Sequence, residues 1–142
     1  MGVSRIFWDT NLFVYLFEDY KGLSKKTEEL RRRMLARGDQ LLTSTLTIGE
    51  VLVKPLERGA TDVCQRYEKA ITSTAVVIPF DLNATRIYAS LRQDRSLRAP
   101  DAVQLACAAS VGVDLFVTND DHLQGRHVKG IQFIVALDAV PL

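Results

Sequence analysis

Ala99-Pro100-Asp101-Ala102-Val103-Gln104-Leu105-Ala106-Cys107-Ala108-Ala109-Ser110, followed after a short break by Asp114-Leu115-Phe116-Val117-Thr118-Asn119-Asp120, decides the fold. Pro100 stands where a first helical turn tolerates proline, because that position has no intrahelical partner for its missing N–H. The helix it opens is crowded with small side chains and can therefore approach a sheet closely. Asp114 to Thr118 is β-branched and apolar, and Asn119-Asp120-Asp121 closes it as a turn, so the spacing predicts a short buried strand.

The same alternation extends outward in both directions. Upstream, Asp81 caps a helix whose inward stripe is Ala84, Ile87, Tyr88 and Leu91. Val76 to Phe80 reads as a third strand, preceded by a helix on Val63, Tyr67, Ala70 and Ile71. A Ser44-Thr45 capping signal opens a helix through Glu50 toward Arg58-Gly59, which Pro55 is expected to kink or divide. Gln40 to Thr43 is a second strand. Ser24 to Arg37 is a helix with Leu23, Thr27, Leu30 and Met34 on one stripe, stopped by Gly38. At the start, Ile6-Phe7-Trp8 is a buried strand ending at Asp9-Thr10-Asn11, and the helix after it is apolar almost all round from Leu12 to Phe17. Downstream, Ile131 to Val135 supplies a fifth strand. Strands alternating with helices predict one α/β domain over residues 1–142: a three-layer α/β/α sandwich with a mostly parallel central sheet and right-handed crossovers.

Composition narrows the function. The 142 residues are 47% hydrophobic, enough for one continuous core, and 18 Lys and Arg balance 17 Asp and Glu to a net charge of +1. No global field announces a polyanionic partner, so any nucleic-acid contact must be local. Cys64 and Cys107 are too few and too far apart for a disulfide framework, which favours a reducing cytoplasm. No apolar run approaches the roughly 18 residues of a membrane span, and the chain is expected to be soluble and unprocessed.

In an open parallel sheet the working crevice lies beyond the carboxyl ends of the strands, so acidic residues there carry the most weight. Asp9 and Asp120 follow strands, while Glu50 and Asp101 fall in the opening turns of helices. Each has a local alternative. Asp9 can cap the helix beginning near Asn11, Thr47-x-x-Glu50 fits a capping box, Asp101 faces a helix dipole favourably, and Asp120-Asp121 can form a turn. Brought together, the four carboxylates would repel by about 4 kcal/mol per pair at 4 Å and an effective dielectric near 20, a cost a divalent cation removes. An all-oxygen donor set without a Cys cluster favours Mg²⁺ or Mn²⁺ over Zn²⁺, and such ions suit phosphodiester hydrolysis.

These segments also carry a resemblance. Phe7-Trp8-Asp9-Thr10-Asn11, Thr47-Ile48-Gly49-Glu50-Val51-Leu52, Asp101 to Ala108 and Phe116-Val117-Thr118-Asn119-Asp120 occur in order across nearly the whole chain. The chain resembles PIN-domain nucleases, and most closely the VapC-type toxins of toxin–antitoxin pairs. The resemblance implies a Rossmann-like sandwich, Asp9, Glu50, Asp101 and Asp120 around Mg²⁺ or Mn²⁺, endoribonuclease activity on RNA, homodimerisation and inhibition by an antitoxin protein. It also implies that Asn11 and Thr118 support the site through hydrogen bonds. One departure stands out: where the family often has a further acid two positions past the fourth, this chain has His122, beside Asp121.

Other residues complete the set of expectations. Seven basic residues against two acidic lie between Lys21 and Arg37, and four against one between Arg86 and Arg98; each is either an ordinary solvated face or a source of phosphate contacts, for which Arg92, Arg95 and Arg98, leading into Asp101, are the better candidates. His122 and His127 are wrongly spaced for a helical metal pair. Cys107, among alanines, reads as a small buried hydrophobe, and Trp8, Phe13 and Phe17 as core or dimer interface. Two other functions fit the same fold. One is a non-catalytic RNA- or partner-binding module whose carboxylates are caps; the other is a small-molecule phosphatase, which the absence of an Asp-x-Asp motif after the first strand disfavours.

Overall fold

A computed structural model describes residues 3–18 and 22–142. Five short apolar stretches form strands: β1 (Arg5–Trp8), β2 (Gln40–Ser44), β3 (Val76–Ile78), β4 (Val113–Val117) and β5 (Ile131–Val135). Between them run α1 (Thr10–Glu18), α2 (Ser24–Arg37), α3 (Thr45–Glu57), α4 (Thr61–Thr74), α5 (Leu82–Leu91) and α6 (Ala99–Val111). All strand pairs are parallel, in the order β3-β2-β1-β4-β5.

Side chains alternate across a strand, and the two faces of the sheet bury different sets. Ile6, Trp8, Leu41, Leu115 and Val117 join Leu12, Phe13, Leu30, Met34, Val51 and Ile71, so α1 to α4 cover one face. Phe7, Leu42 and Phe116 join Ala84, Leu105, Ala106 and Ala108, so α5 and α6 cover the other. Phe7 and Phe116 stack on adjacent strands with ring centroids 4.9 Å apart. The result is the expected three-layer α/β/α sandwich. The alanine-rich helix does approach closely: Gly130, at φ +98°, lies so near α6 that a Cβ there would stand 2.6 Å from the Ala109 carbonyl oxygen. Only glycine permits β5 to start beneath that helix.

Strand order sets where a site can form. From β1 the chain winds outward through β2 to β3, then crosses the opposite face to β4 on the other side of β1. The winding direction therefore reverses between β1 and β4, leaving a crevice at their carboxyl ends, where α1 departs from β1 and a turn follows β4. Trp8 pairs with Val117, so Asp9 and Thr118 emerge side by side into it.

Several boundaries differ from expectation. β3 stops at Ile78, short of Phe80, because Pro79 has no N–H for the ladder. β4 begins and ends one residue earlier than read. Pro55 does not divide its helix: α3 runs through it and ends at Glu57, because a proline in the last turn forfeits a single backbone bond near the terminus. Trp8 and Phe13 are core residues, 0% and 2% exposed, whereas Phe17 is half-buried against Tyr67. Both cysteines are buried and unpaired. No helix among the described residues is long and apolar enough to cross a membrane.

Candidate active site

Asp9 leaves the end of β1 directly into α1 and is 7% exposed. A carboxylate there must be surrounded by donors, and it is. Its Oδ1 accepts from the Thr10 backbone N–H at 2.8 Å and the Gln104 side-chain amide at 3.2 Å, while Oδ2 accepts from the Thr118 hydroxyl at 2.8 Å. Burial still dominates: desolvation, with a smaller contribution from the nearby Asp101 charge, pushes the Asp9 carboxyl up to about 6 against the pull of those three bonds. Such a group gains from any positive charge brought next to it.

The other three carboxylates come from separate elements. Glu50 lies in the second turn of α3, and its Oε1 accepts from the Thr10 hydroxyl at 2.5 Å. Ser44 caps that helix, accepting from the Thr47 N–H, so Thr47 and Glu50 do not form the capping box that their spacing suggests. Asp101 stands in the first turn of α6. Asp120 follows β4, its N–H donating to Thr118 Oγ1 at 3.0 Å and its Oδ1 accepting from the His122 N–H at 2.9 Å. All four line one open depression of about 440 Å³ with Thr10, Asn11, Val14, Tyr15 and Lys54. The four acids expected to converge thus share the lining of one depression.

Asn11 and Thr118, expected to support the site, are linked to one another and, through Thr118, to two of the acids. Thr118 bonds Asp9, receives the Asp120 N–H and receives the Asn11 amide at 3.4 Å. Asn11 Oδ1 is buried on the wall of the depression without a hydrogen-bond partner. That orphaned oxygen and four carboxylates constitute a hard-donor set that suits Mg²⁺ or Mn²⁺, or a water bound to one. As the side chains stand, no three acidic, His or Cys groups among the described residues converge closely enough to hold one ion. Thr10 draws Glu50 aside, and Arg98 holds the other two acids: its Nε donates to Asp101 Oδ2 at 3.1 Å and its Nη2 to Asp120 Oδ2 at 2.9 Å.

Residues 6–127 match the sequence profile of the PIN domain. The chain belongs to the PIN domain family. Solved structures share this PIN fold across most of its length. A chain of the DNA-bound VapBC complex from Salmonella typhimurium is 18% identical, with a TM-score of 0.73, covering 95% of this chain and 99% of that one. A toxin–antitoxin complex from Klebsiella pneumoniae supplies a second match at 25% identity and TM-score 0.66, covering 89% and 94% of the two chains. VapBC2 from Rickettsia felis, bound to a DNA fragment from its promoter, gives 19% and 0.64 over 82% and 88%. No curated protein sequence matches the chain.

Within the PIN domain the remaining expectations divide. Of the three arginines, only Arg98 reaches the carboxylates; Arg92 bonds the Tyr88 hydroxyl at 3.2 Å and Arg95 is exposed on the intervening loop. Asp121 and His122 are exposed, outside the lining of the depression, and His127 is exposed elsewhere. Burial pushes the Cys107 thiol up to about 11, which makes it a poor nucleophile. Lys21 lies outside the described residues.

Two contributors escaped the sequence reading. Gln104, 2% exposed, donates through Nε2 to Asp9, to Thr10 Oγ1 at 3.1 Å and to Thr47 Oγ1 at 2.7 Å, and its Oε1 accepts from the Ser44 hydroxyl. One amide thus joins the residue that follows β1 to α1, β2, α3 and its own helix α6. Its signal was a lone amide in an apolar helix, three residues beyond Asp101 and so on the same face. Lys54 lines the depression one turn beyond Glu50, at the spacing that places both on one helix face.

Proposed function

We propose that this PIN domain is a Mg²⁺- or Mn²⁺-dependent endoribonuclease acting in the cytoplasm as the toxin of a VapC-type toxin–antitoxin pair. The observation that carries the reading is the meeting of Asp9, Glu50, Asp101 and Asp120, from four separate elements, in one depression at the β1/β4 reversal. Asp9, Asp101 and Asp120 would hold the cation, with Glu50 as a further ligand or as the base, and Asn11 Oδ1 beside them. When bound, the cation supplies neutralisation of the acids, orientation of the scissile phosphate and acidification of a water. The chain's own part is to keep Asp9 aimed through Gln104, Thr10 and Thr118, and to offer a carboxylate oxygen for a proton. Glu50 fits that last task, since Thr10 occupies its Oε1 and leaves Oε2 to accept one. The depression is open, as a site acting within a polymer must be.

Partners follow from the same reading. The VapBC likenesses support an antitoxin, and exposed apolar surface adjoins the acids: Val14, Glu50 and Lys54 belong both to the acidic depression and to a neighbouring groove with Phe17, Val53 and Tyr67. A homodimer is the expected state of the toxin alone, read out by light scattering. The function is tested by incubating purified protein with single-stranded RNA and Mn²⁺, with chelator as control. Metal-dependent internal cleavage that disappears in Asp101→Asn is the expected result. A folded protein that leaves RNA intact with Mg²⁺ and with Mn²⁺, yet still binds it, would instead be a non-catalytic RNA-binding module.

A further inference from the structure

Arg98 neutralises the two acids at the rim, and its mounting restricts what else it can do. Its backbone is the N-cap of α6, with its carbonyl accepting the Ala102 N–H at 2.9 Å, and its neighbour Leu97 is 4% exposed. The preceding loop is pinned independently. Asp94 Oδ1 accepts from the Ser96 N–H at 3.0 Å, while Arg126 donates to Asp94 Oδ2 at 2.8 Å, to Ser96 Oγ at 3.1 Å and to the His122 carbonyl at 2.7 Å. Arg126 therefore ties the mount of Arg98 to the turn that carries Asp120. Only the Arg98 side chain, 68% exposed, is left to move, swinging from a fixed point beside the depression.

The guanidinium takes one oxygen from each of two carboxylates, Asp101 Oδ2 and Asp120 Oδ2, and these are groups a cation would recruit. Its charge competes with that of an arriving divalent ion for these two carboxylates, because two cations drawn to the same pair of acids repel. It cannot go far. Released, it stays at the rim of an acidic depression that otherwise repels a polyanion, and a planar fork of N–H donors matches phosphate oxygens.

We propose that Arg98 is a tethered counter-ion of the site: it bridges Asp101 and Asp120 in the metal-free protein, is displaced by the cation, and then binds a phosphate of the RNA strand. The role rests on the ribonuclease reading above, and its two halves make opposite predictions for one substitution. Removing the side chain removes a competitor for the metal but also a ligand for the substrate.

The decisive experiment is a calorimetric titration of Mn²⁺ into metal-free wild-type protein, Arg98→Ala and Arg98→Gln, paired with RNA cleavage at saturating Mn²⁺ over a range of salt. Both variants should bind Mn²⁺ about two- to fivefold more tightly, the scale of an exposed ion pair. Both should raise KM for RNA about tenfold, the scale of one charge-assisted hydrogen bond. The slope of log KM against log salt should flatten by about 0.7, the value for one phosphate contact on a single strand. Arg98→Lys, which keeps the charge without the fork, should restore most of the salt slope and part of KM. Unchanged or weakened Mn²⁺ affinity in both variants overturns the counter-ion role; an unchanged KM and salt slope overturns the phosphate contact. If the wild-type protein cleaves no RNA, the ribonuclease reading fails and the phosphate contact with it, while the Mn²⁺ titration still decides the counter-ion role.

Discussion

The inner and outer halves of the acidic depression solve the same electrostatic problem in different ways. Asp9, 7% exposed, is held by uncharged donors on fixed elements: a backbone N–H, a buried amide and a buried hydroxyl. Asp101 and Asp120 at the rim share one cationic side chain, itself 68% exposed. Neutral donors in a low-dielectric interior orient a carboxylate without cancelling its charge, so Asp9 remains short of positive charge. A guanidinium at the surface cancels charge cheaply and can be exchanged. On the proposed reading the inner half would attract a cation, and the outer half would exchange one counter-ion for another.

The largest effect should follow from cutting into the inner half. Asp9→Asn keeps the size and most hydrogen bonds of the side chain but removes the charge, and RNA cleavage should fall by about a thousandfold or more, since a proposed metal ligand is lost. The same variant should melt at a higher temperature than the metal-free wild type at neutral pH, because a costly buried charge is gone. It should also lose most of the Mn²⁺-induced rise in melting temperature. A variant that cleaves normally would remove Asp9 from the site and the comparison with it.

Next in size is the support of Asp9. Gln104→Leu fills the same space but strips donors from Asp9, Thr10 and Thr47 and an acceptor from Ser44, leaving several buried polar groups unpaired. At roughly 1–3 kcal/mol for an unsatisfied buried group, a total loss of about 2–4 kcal/mol in urea unfolding is expected, with part recovered in Gln104→His. A loss below about 1 kcal/mol would mean that the inner half is not preorganised by this amide.

The position of Gln104 marks the limit of what the sequence disclosed. The elements were legible because apolar runs such as Ile6-Phe7-Trp8 and periodic stripes such as Leu30 and Met34 declare burial locally. A shared depression for the four acids was legible because Asp9 and Asp120 follow strands, Asp101 opens a helix, and the family resemblance joined Glu50 to them. Strand order was not, since nothing in Val113–Val117 says that it lies beside β1 rather than β3. Without that neighbourhood, Thr118 could be linked to Asp9 only by resemblance, and the amide of Gln104 only by chance. Glu50 was ambiguous for a different reason: Thr47 three residues before it imitates a cap, when the true cap is Ser44, three residues earlier again. Arg98 was foreseen as a phosphate contact, but the direction a long exposed side chain takes is a tertiary fact.

A third test uses pH to separate the halves. Asp9 has its carboxyl raised to about 6 in the fold from an ordinary 3.8, so the folded state binds the proton more tightly than the unfolded one. This group's contribution to the metal-free fold is therefore fully present below about pH 4 and is lost as pH rises through 6. At roughly 1.4 kcal/mol per pK unit, up to about 3 kcal/mol disappears across that window, superimposed on the other titrating groups. The difference between wild type and Asp9→Asn isolates it, and saturating Mn²⁺ should abolish the decline. A difference curve flat from pH 4 to 7 would show that Asp9 is solvated, and the contrast with the rim would vanish.

The smallest effect belongs to the rim's own scaffold. Arg126→Lys keeps a positive charge but loses the fork that reaches Asp94, Ser96 and the His122 carbonyl together. An exposed ion pair of this kind contributes about 0.2–1 kcal/mol, so global stability should barely move. Amide exchange should report the change instead. The Ser96 and His122 N–H groups, bonded to Asp94 Oδ1 and Asp120 Oδ1, should exchange faster as the two loops uncouple. The Thr10 N–H, bonded to Asp9 Oδ1, should not. Equal acceleration at all three would mean that inner and outer halves open as one cooperative unit, so that a cation binding at the rim would also have to organise the interior. Selective loosening of the rim would leave Asp9 poised on a rigid floor while the wall opposite it moves, which is the arrangement a site needs if it must admit both a metal ion and a strand of RNA.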